Sequence, residues 1–435
     1  MTIPTYPYAG FLVEEAAPIF GMRYGRLDWN AYEAAGPRPA PRSYRAIVLE
    51  NELLRLTLLP ELGGRIYRCE LKAVGHNLLY NNPVIKPTRW GPREQGWWLA
   101  AGGIEFCLPV EEHGYETAAP WQYEVQRAGD AITVLLWDSL QPDRLRARIG
   151  VTLRAGEARF GLSVRLENGR PQAVPVKYWT NAMLAPGGGN RVSEALRFVF
   201  PAAQVTVHST GDATLPAAGQ ALSWPIYQGR DLSLPAQWKG WLGFFERPRA
   251  SGQFAGVYDG NADEGMARVC SPDVAAGVKG FGMGPAPYGL APALWTDDDS
   301  SYVELHGGLA PTFDDAYTLP AGASVAWEET WLPLAGLGGL TLAGSSGAGH
   351  VAWDAGKSRL SGRVALARPL AGQIEISVGE NSLGTFALAG SAGQVVQWDI
   401  PAAVEPAYDA AIRMAIREAG GHIETWEGPY RPIRR

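Results

Sequence analysis

The sequence predicts an almost all-β protein whose main unit is a large β-sandwich. Apolar residues alternate with their neighbours at a period of two in segments such as 54–58, 132–136 and 160–166, which is typical of strands that place one face on a core. Turn-forming residues separate these segments, as at 60–64 and 168–171, with the regular spacing of an antiparallel protein. Sustained helical periodicity is almost absent, so an all-β fold is expected.

Two short stretches depart from this pattern. Residues 29–34 and 410–418 are the best helix candidates in the chain. The Ile, Met and Ala residues of the second stretch suit a strand equally well, so its structure stays open.

The chain divides into three segments. With 435 residues it is longer than one core normally supports. Residues 1–43 are rich in Pro, Gly and Tyr and are predicted to form an extended arm on the sandwich or on a neighbouring subunit, which leaves a homo-oligomer open. Residues 44–335 form the large sandwich. Small residues at 335–349 indicate a linker or turn cluster, and alternation returns beyond it, so residues 336–435 are predicted to form a smaller C-terminal β-sandwich.

Charge and cysteine content argue against several functions. The formal net charge is −6, and no basic run could neutralise a series of phosphates, so nucleic acid is not an expected partner. Cys69, Cys107 and Cys270 are too scattered for a disulfide framework or a zinc site. Neither a signal peptide nor a membrane-spanning stretch is recognisable, which predicts a cytoplasmic protein. No phosphate loop or nucleophile elbow occurs, and no cofactor or metal is predicted.

The most unusual segment is 97–114, which combines two Trp, three Glu and a His between glycines and a proline. Glu105 has apolar neighbours, and a buried carboxylate needs a partner. Such a setting raises the pKa of a carboxyl group, as a general acid or base requires, although Glu105 could instead be a structural residue bonded to backbone N–H groups. His113 lies beside a glycine in a loop and is a second proton-transfer candidate.

A second candidate strand covers residues 302–306. Its period of two places Tyr302, Glu304 and His306 on one face and the apolar residues on the other. The polar face either lines a cavity or is a solvated outer face. The nearby triplet 297–299 contains three Asp residues and could bind calcium, but a solvated turn is the more common structure for such a triplet.

A third set of residues is suited to recognising hydroxyl groups. Lys177, Trp179 and Asn181 alternate along one predicted strand, and Asn82 and Lys86 add further donors. The chain also contains 16 Trp residues, and sugar rings stack on flat aromatic side chains. Trp179 and Trp241 are therefore the stacking candidates.

Several motifs together resemble a family of uncharacterised bacterial proteins within the galactose mutarotase-like superfamily. The first two motifs are AIVLENELLRLTLLPELGGRI at 46–66 and YNNPVIKP at 80–87. The others lie at 102–106, 178–182, 254–259, 296–298, 302–305 and 329–334. They occur in the family's order over about residues 44–335 and are specific for the family rather than for an activity.

The resemblance implies a supersandwich, in which two large antiparallel sheets pack face to face and sugar binds on the concave sheet. In the aldose 1-epimerases of this superfamily a strand-borne Glu acts as base on the anomeric hydroxyl, while His residues protonate the ring oxygen. Glu304 resembles that base, and the sequence His113-Gly114-Tyr115 resembles the epimerases' His-Gly-aromatic element. Where those enzymes have a second His, this chain has Trp179.

Two functional hypotheses follow. In the first, the protein acts on a sugar or oligosaccharide at the anomeric centre, as an epimerase or a glycoside hydrolase, with Glu304 as base and His113 or Glu105 as acid. In the second, it is a glycan-binding module without turnover. Under the first hypothesis Glu105, His113, Trp179, Asn181 and Glu304 should line one concave pocket, because proton transfer requires groups near a common substrate atom.

Overall fold

The computed structural model describes residues 1–248 and 253–432. The N-terminal segment contains one α-helix, α1 (Trp29–Ala35), and a 3₁₀ turn at Ala9–Phe11. Its strands are β1 (Thr2–Thr5), β2 (Leu12–Ala17), β3 (Met22–Leu27) and β4 (Ala40–Ser43).

The central segment contains 3₁₀ turns at Pro235–Gln237 and Pro292–Leu294 and strands β5 to β29. The strands of its first half are β5 (Ile47–Glu50), β6 (Leu54–Leu59), β7 (Arg65–Leu71), β8 (His76–Asn77), β9 (Asn81–Thr88), β10 (Trp98–Gly102), β11 (Ile104–Cys107), β12 (Gln122–Ala128), β13 (Ala131–Trp137), β14 (Leu145–Arg154), β15 (Phe160–Asn168) and β16 (Val174–Val176). Those of its second half are β17 (Trp179–Leu184), β18 (Leu196–Val199), β19 (Gln204–Thr210), β20 (Ala221–Ser223), β21 (Ile226–Tyr227), β22 (Arg230–Asp231), β23 (Leu242–Phe245), β24 (Phe254–Asp259), β25 (Glu264–Cys270), β26 (Gly277–Gly282), β27 (Val303–Gly308), β28 (Tyr317–Leu319) and β29 (Ser324–Ala335).

Two large sheets pack face to face and form the central sandwich. Sheet I is 11-stranded, with the order β20-β19-β23-β26-β27-β17-β11-β7-β6-β5 and β8 paired to β7. Sheet II is 8-stranded, with the order β12-β13-β14-β15-β29-β25-β24-β18. Residues from alternate positions of both sheets, such as Ala182 and Leu305 from sheet I and Val164 from sheet II, share one buried core. The predicted all-β sandwich is therefore confirmed.

The N-terminal segment is more regular than an extended arm. Strand β1 pairs with β4 and β9 in a four-stranded sheet with β10, and β2 and β3 form a hairpin. The short helix predicted near residues 29–34 is present as α1. Asp28 caps its first turn by accepting a hydrogen bond from the Ala31 N–H at 3.0 Å, and Gly36 ends it at φ 56°.

The C-terminal segment forms two four-stranded sheets, β30-β31-β32-β35 and β34-β33-β36-β37. Their strands are β30 (Leu342–Gly344), β31 (Gly347–Asp354), β32 (Arg359–Leu366), β33 (Leu370–Val378), β34 (Asn381–Gly390), β35 (Val395–Pro401), β36 (Ala411–Glu418) and β37 (Ile423–Pro429). The ambiguous stretch at 410–418 is thus a strand. Apolar residues from β24, β25 and β29 belong to the same buried cluster as those of β30–β37. The small sandwich therefore packs on the face of sheet II that points away from sheet I.

Within the described residues, no helix has the length and apolar character needed to cross a membrane.

Candidate functional site

A row of polar side chains crosses the middle of sheet I. Glu105 of β11 lies opposite Asn181 of β17, Asn181 lies opposite His306 of β27, and His306 lies opposite Lys279 of β26. Directly opposed residues share a face, and neighbouring strands are about 4.8 Å apart. The register therefore collects four polar residues from distant parts of the chain on the face that points away from the central core.

Glu304 lies on the same face of β27, two residues before His306. It is opposite Met183 of β17 and Phe281 of β26. The Glu304 and His306 residues are 3% and 0% exposed. The predicted polar face of strand 302–306 is therefore not a solvated outer surface, because its titratable groups are buried.

Buried aromatic side chains flank the polar row on both sides along the strand direction. At one end the buried residues include Tyr80, Trp98, Trp295 and Tyr302. At the other end the buried residues are Cys107, Trp179, Phe245 and Phe313. Apolar residues therefore border the polar row on both sides.

Glu105 is the most heavily bonded carboxylate of the row. Arg65 Nη2 donates to it at 2.9 Å, Trp98 Nε1 at 3.1 Å, His113 Nδ1 at 2.6 Å and Asn181 Nδ2 at 3.2 Å. Burial alone would raise the pKa of Glu105, but the charges of His113 and Arg65 outweigh it and lower that pKa to about 2. Glu105 is therefore an ionised carboxylate that holds its neighbours in place.

His113 is fixed between this carboxylate and an indole ring. Its imidazole stacks on Trp98 with ring centroids 4.0 Å apart and an interplanar angle of 21°. Its Nε2 atom makes no hydrogen bond to any described residue. Burial alone would lower the pKa of His113, but the Glu105 carboxylate more than compensates and raises it above the ordinary 6.5. The raised pKa favours the imidazolium form of His113, in which Nε2–H is the N–H without a protein partner.

The loop that carries His113 has a strained backbone. Glu112, His113 and Gly114 all have positive φ angles, of 42°, 71° and 60°. A non-glycine residue in this region costs about 1–3 kcal/mol and is found mainly at functional sites. The surrounding structure compensates for this cost, because His113 bonds to Glu105 and the Tyr115 N–H donates to the Leu108 carbonyl at 2.8 Å.

We expect Gly114→Ala to destabilise the protein more than Gly129→Ala. Both glycines have nearly the same φ, 60° and 59°. A Cβ at position 114 would lie 2.3 Å from the Leu108 backbone nitrogen, whereas one at position 129 meets nothing within 4 Å. Gly129→Ala should cost only the left-handed backbone penalty of about 1–2 kcal/mol, and denaturant unfolding of both variants measures the difference. Equal losses would show that the loop tolerates a shift.

Glu304 and His306 form a second coupled pair. His306 Nε2 and Glu304 Oε2 are 2.9 Å apart. Burial raises the pKa of Glu304 above 4.5, and Lys279 and His113 oppose the shift only in part. Burial, helped by Lys279, lowers the pKa of His306 well below 6.5, so His306 is neutral and its Nε2–H donates to the carboxylate.

Several buried polar atoms on this face have no protein partner. Within the described part of the chain, His306 Nδ1, Asn181 Oδ1, Trp179 Nε1 and Tyr302 Oη make no hydrogen bond. Buried polar groups are nearly always satisfied in folded proteins, and exceptions need an explanation. Two acceptors and two groups able to donate on one face fit the hydroxyl groups of a polyol.

Sequence reasoning missed three charged or titratable residues of this face. Lys279 is fully buried, and its Nζ lies 3.1 Å from Glu112 Oε1. His208 of β19 packs edge-on against Phe245, and burial together with Lys279 lowers its pKa to about 4. Arg65 is fully buried beside Glu105. The sequence signal for Lys279 was a charged residue inside an apolar, glycine-rich segment, GVKGFG at 277–282. Glu105 was recognised by the same kind of apolar surroundings.

Two predicted binding residues bond instead to the loop around residue 295. Asn82 Nδ2 donates to the carbonyls of Ala100 and Trp295 at 3.0 and 2.6 Å. Lys86 Nζ pairs with Asp297 Oδ1 at 2.8 Å. Their donors are occupied by the protein, so we assign them to holding that loop rather than to the site.

The remaining two binding candidates also have structural partners. Strand pairing breaks after Val176, so Lys177 precedes β17 rather than continuing its polar face. Lys177 Nζ lies 2.9 Å from Glu111 Oε2. Trp241 packs on Gly211, where an added Cβ would meet its ring at 2.4 Å. Of the seven predicted binding residues, Trp179, Asn181 and His306 therefore lie on the polar face of sheet I together with the three catalytic candidates.

A cleft of about 1360 Å³ lies between the central and C-terminal sandwiches. Its lining includes Arg197, His350, Trp353 and Tyr430. None of the residues predicted from the sequence lines it, and it is remote from the polar row in the sheet order.

Comparison with known proteins gives a family and a fold. A family model described as a domain of unknown function, DUF5107, matches residues 24–320. A TPR-domain containing protein from Parabacteroides distasonis is 23% identical, with a TM-score of 0.62 over 77% of this chain, and this chain spans 54% of that protein. A putative aldose 1-epimerase from Escherichia coli K12 is 13% identical over 67% of this chain and 100% of its own, with a TM-score of 0.46. A galactose mutarotase-like protein from Clostridium acetobutylicum is 10% identical over 68% and 96%, with a TM-score of 0.48.

Proposed function

The chain belongs to the DUF5107 family, and from that premise we propose that it interconverts the anomers of an aldose by acid–base chemistry on the polar face of sheet I. The observation that supports this most is geometric: the register of sheet I places Glu304 on the same face as Glu105, whose carboxylate holds His113 Nδ1 at 2.6 Å. Both Glu304 and His113 are buried, and the pKa of each is raised.

The reaction needs one proton removed and one delivered. In the proposed mechanism Glu304 takes the proton of the anomeric hydroxyl while His113 Nε2–H protonates the ring oxygen, and the ring bond between the anomeric carbon and that oxygen breaks. The aldehyde group of the open-chain sugar then rotates about the C1–C2 bond. Closure on the other face returns both protons, so Glu304 and His113 recover their starting states.

Glu105 has a different role in this proposal. Its pKa of about 2 leaves it ionised at any physiological pH, so it cannot donate a proton. We assign it to positioning His113 and stabilising the imidazolium. Hydrolysis of a glycosidic bond usually uses a pair of carboxyl groups, one of them protonated. The engagement of Glu105 by four N–H donors and the Cys107 thiol therefore favours anomer exchange over hydrolysis.

The walls and the unpaired atoms of the site would bind the sugar. The ring of Phe281 offers flat apolar area directly opposite Glu304, and the fully buried Trp179 offers an unpaired Nε1–H. Asn181 Oδ1 and His306 Nδ1 can accept hydrogen bonds from hydroxyl groups. We propose these four residues as the substrate-binding set.

We expect a bell-shaped pH dependence of anomer exchange. Activity needs Glu304 ionised and His113 protonated, and the pKa of each group is raised, from 4.5 and from 6.5 respectively. The rate should rise as Glu304 loses its proton above pH 4.5 and fall as His113 loses its proton above pH 6.5. The two apparent values belong to the coupled pair. Polarimetry on freshly dissolved aldoses between pH 4 and 9 measures the profile.

The alternative from the sequence, a glycan-binding module without turnover, predicts a different result from the same panel. Calorimetry would then detect sugar binding while polarimetry detects no acceleration at any pH. That combination would replace the proposed activity with a binding function, and absence of both signals over a broad panel of aldoses would contradict both.

A further inference from the structure

Lys279 is a buried cation whose bonding is incomplete. Its side chain is fully buried, and its single hydrogen bond within the described chain goes to Glu112 Oε1 at 3.1 Å. A lysine ammonium has three N–H donors. The other close groups are the rings of Phe313 and Phe281, whose centroids are 4.5 and 5.2 Å from Nζ. Two donors of Lys279 are therefore without an oxygen partner at the centre of the site.

The partner of Lys279 is held less securely than the lysine itself. The Glu112 side chain is 36% exposed, and its backbone has a φ of 42°. Glu112 lies in the loop between Leu108 and Tyr115, which the hydrogen bond from the Tyr115 N–H to the Leu108 carbonyl closes. The neighbouring Glu111 side chain in this loop is 39% exposed. Glu112 is therefore the partner with access to solvent, whereas Lys279 is fixed in the middle of β26.

The charges of the site balance only with Glu112 in place. With His113 protonated and Glu304 ionised, as the proposed mechanism requires, Arg65, His113 and Lys279 supply three positive charges, and Glu105, Glu112 and Glu304 supply three negative ones. Departure of Glu112 would leave one positive charge uncompensated in a buried setting, which is costly. One incoming negative charge restores the balance, whereas a dianion exceeds it.

We infer that the sugar carries a single carboxylate, as a uronic acid does, and that this carboxylate replaces Glu112 on Lys279 while the anomeric carbon lies at Glu304. Lys279 is the diagonal cross-strand neighbour of Glu304 on the same face, and such neighbours are about 7–8 Å apart at their Cα atoms. One sugar ring with its substituents bridges that distance. The inference rests on the proposed function and specifies its substrate class.

The test is calorimetry on the whole chain with three classes of probe: the uronates galacturonate and glucuronate, their parent neutral aldoses, and glucose 6-phosphate. Wild type should bind a uronate at least about tenfold more tightly than the parent aldose, because a charge-assisted hydrogen bond to a buried lysine contributes that much. Lys279→Met should remove the preference. Glu112→Gln, a change at the loop tip, should raise uronate affinity by about three- to tenfold, because no charge must be displaced. Lys239→Met, an exposed lysine, should change neither affinity.

The outcomes separate this inference from the proposed function. Equal binding of uronate and aldose, or a preference that survives Lys279→Met or falls with Glu112→Gln, overturns the inference and leaves anomer exchange standing. Tighter binding of the sugar phosphate overturns the assignment of a single carboxylate. Failure to bind any sugar overturns both.

Discussion

Glu304→Gln should reduce anomer exchange by about 10²- to 10⁴-fold, the usual contribution of a general base. Glutamine has the shape of glutamate but cannot take the hydroxyl proton. Its side-chain oxygen can still accept from His306 Nε2, which lies 2.9 Å from the native carboxylate. Folding should therefore be unchanged, and loss of rate would report the chemistry. Anomer exchange by NMR and thermal unfolding of the same preparation provide the two measurements.

Glu328→Gln is the matched control, since Glu328 is exposed on β29 of sheet II. It should retain the wild-type rate. If Glu304→Gln kept more than about a tenth of the rate, general-base catalysis by Glu304 would be contradicted. If both variants lost activity together, the cause would be net charge rather than the site.

Arg65→Met should destabilise the protein by about 3–5 kcal/mol, the typical cost of removing one partner of a buried ion pair. Arg65 and Glu105 are 0% and 1% exposed at their side chains, and their atoms are 2.9 Å apart. Arg65 Nη1 also donates to the Gly102 carbonyl at 2.6 Å. Without Arg65 the carboxylate would keep its burial and lose one of its two compensating cations. Denaturant unfolding at neutral pH measures the change.

Arg55→Met on the neighbouring strand β6 is the control. Arg55 pairs with Glu50 at 3.8 Å, and both side chains are 46% exposed, so the loss should be below about 1 kcal/mol. A loss of unfolding free energy as small as this for Arg65→Met would contradict the stabilising role of the buried Arg65–Glu105 ion pair.

The pH dependence of stability offers a second check on this pair. The pKa of Glu105 is lowered from 4.5 to about 2 in the folded protein. Its contribution is therefore present above the pKa of the unfolded chain and is lost as the pH falls from about 4.5 towards 2. Glu105→Gln should weaken this acid dependence.

The fold was largely predictable from the sequence because it depends on local patterns. Period-two alternation identified the strands, and the last strand of sheet II, β29, ends at Ala335. The comparison with known proteins confirms the resemblance to an uncharacterised family over most of residues 44–335. The N-terminal segment was less predictable, since β1 is completed by long-range pairing with β9, which no local pattern encodes.

The site was predictable only in part. The shared face of Glu304 and His306 followed from the strand period, and the carboxylate of Glu105 was recognisable from its apolar neighbours. What the sequence does not contain is the register between strands. Asn181 and Lys279 come to lie on either side of His306 only because β17 and β26 pair with β27 in one alignment.

The role of Glu105 illustrates the same limit. Burial by itself indicates a raised pKa and a proton donor. The structure adds Arg65, Trp98, His113 and Asn181 around the carboxylate, and the resulting pKa lies below the ordinary value. The sign of the shift depends on the charges of His113 and Arg65, and Arg65 lies 40 positions away in the chain.

A structure of the protein with a bound aldose would show whether Glu304 and His113 act on the anomeric centre. We expect the sugar on the polar face of sheet I, with its anomeric hydroxyl within about 3.2 Å of the Glu304 carboxylate and its ring oxygen within the same reach of His113 Nε2. A sugar bound with its anomeric carbon turned away from Glu304, or bound only in the cleft lined by Trp353 and Tyr430, would contradict this expectation.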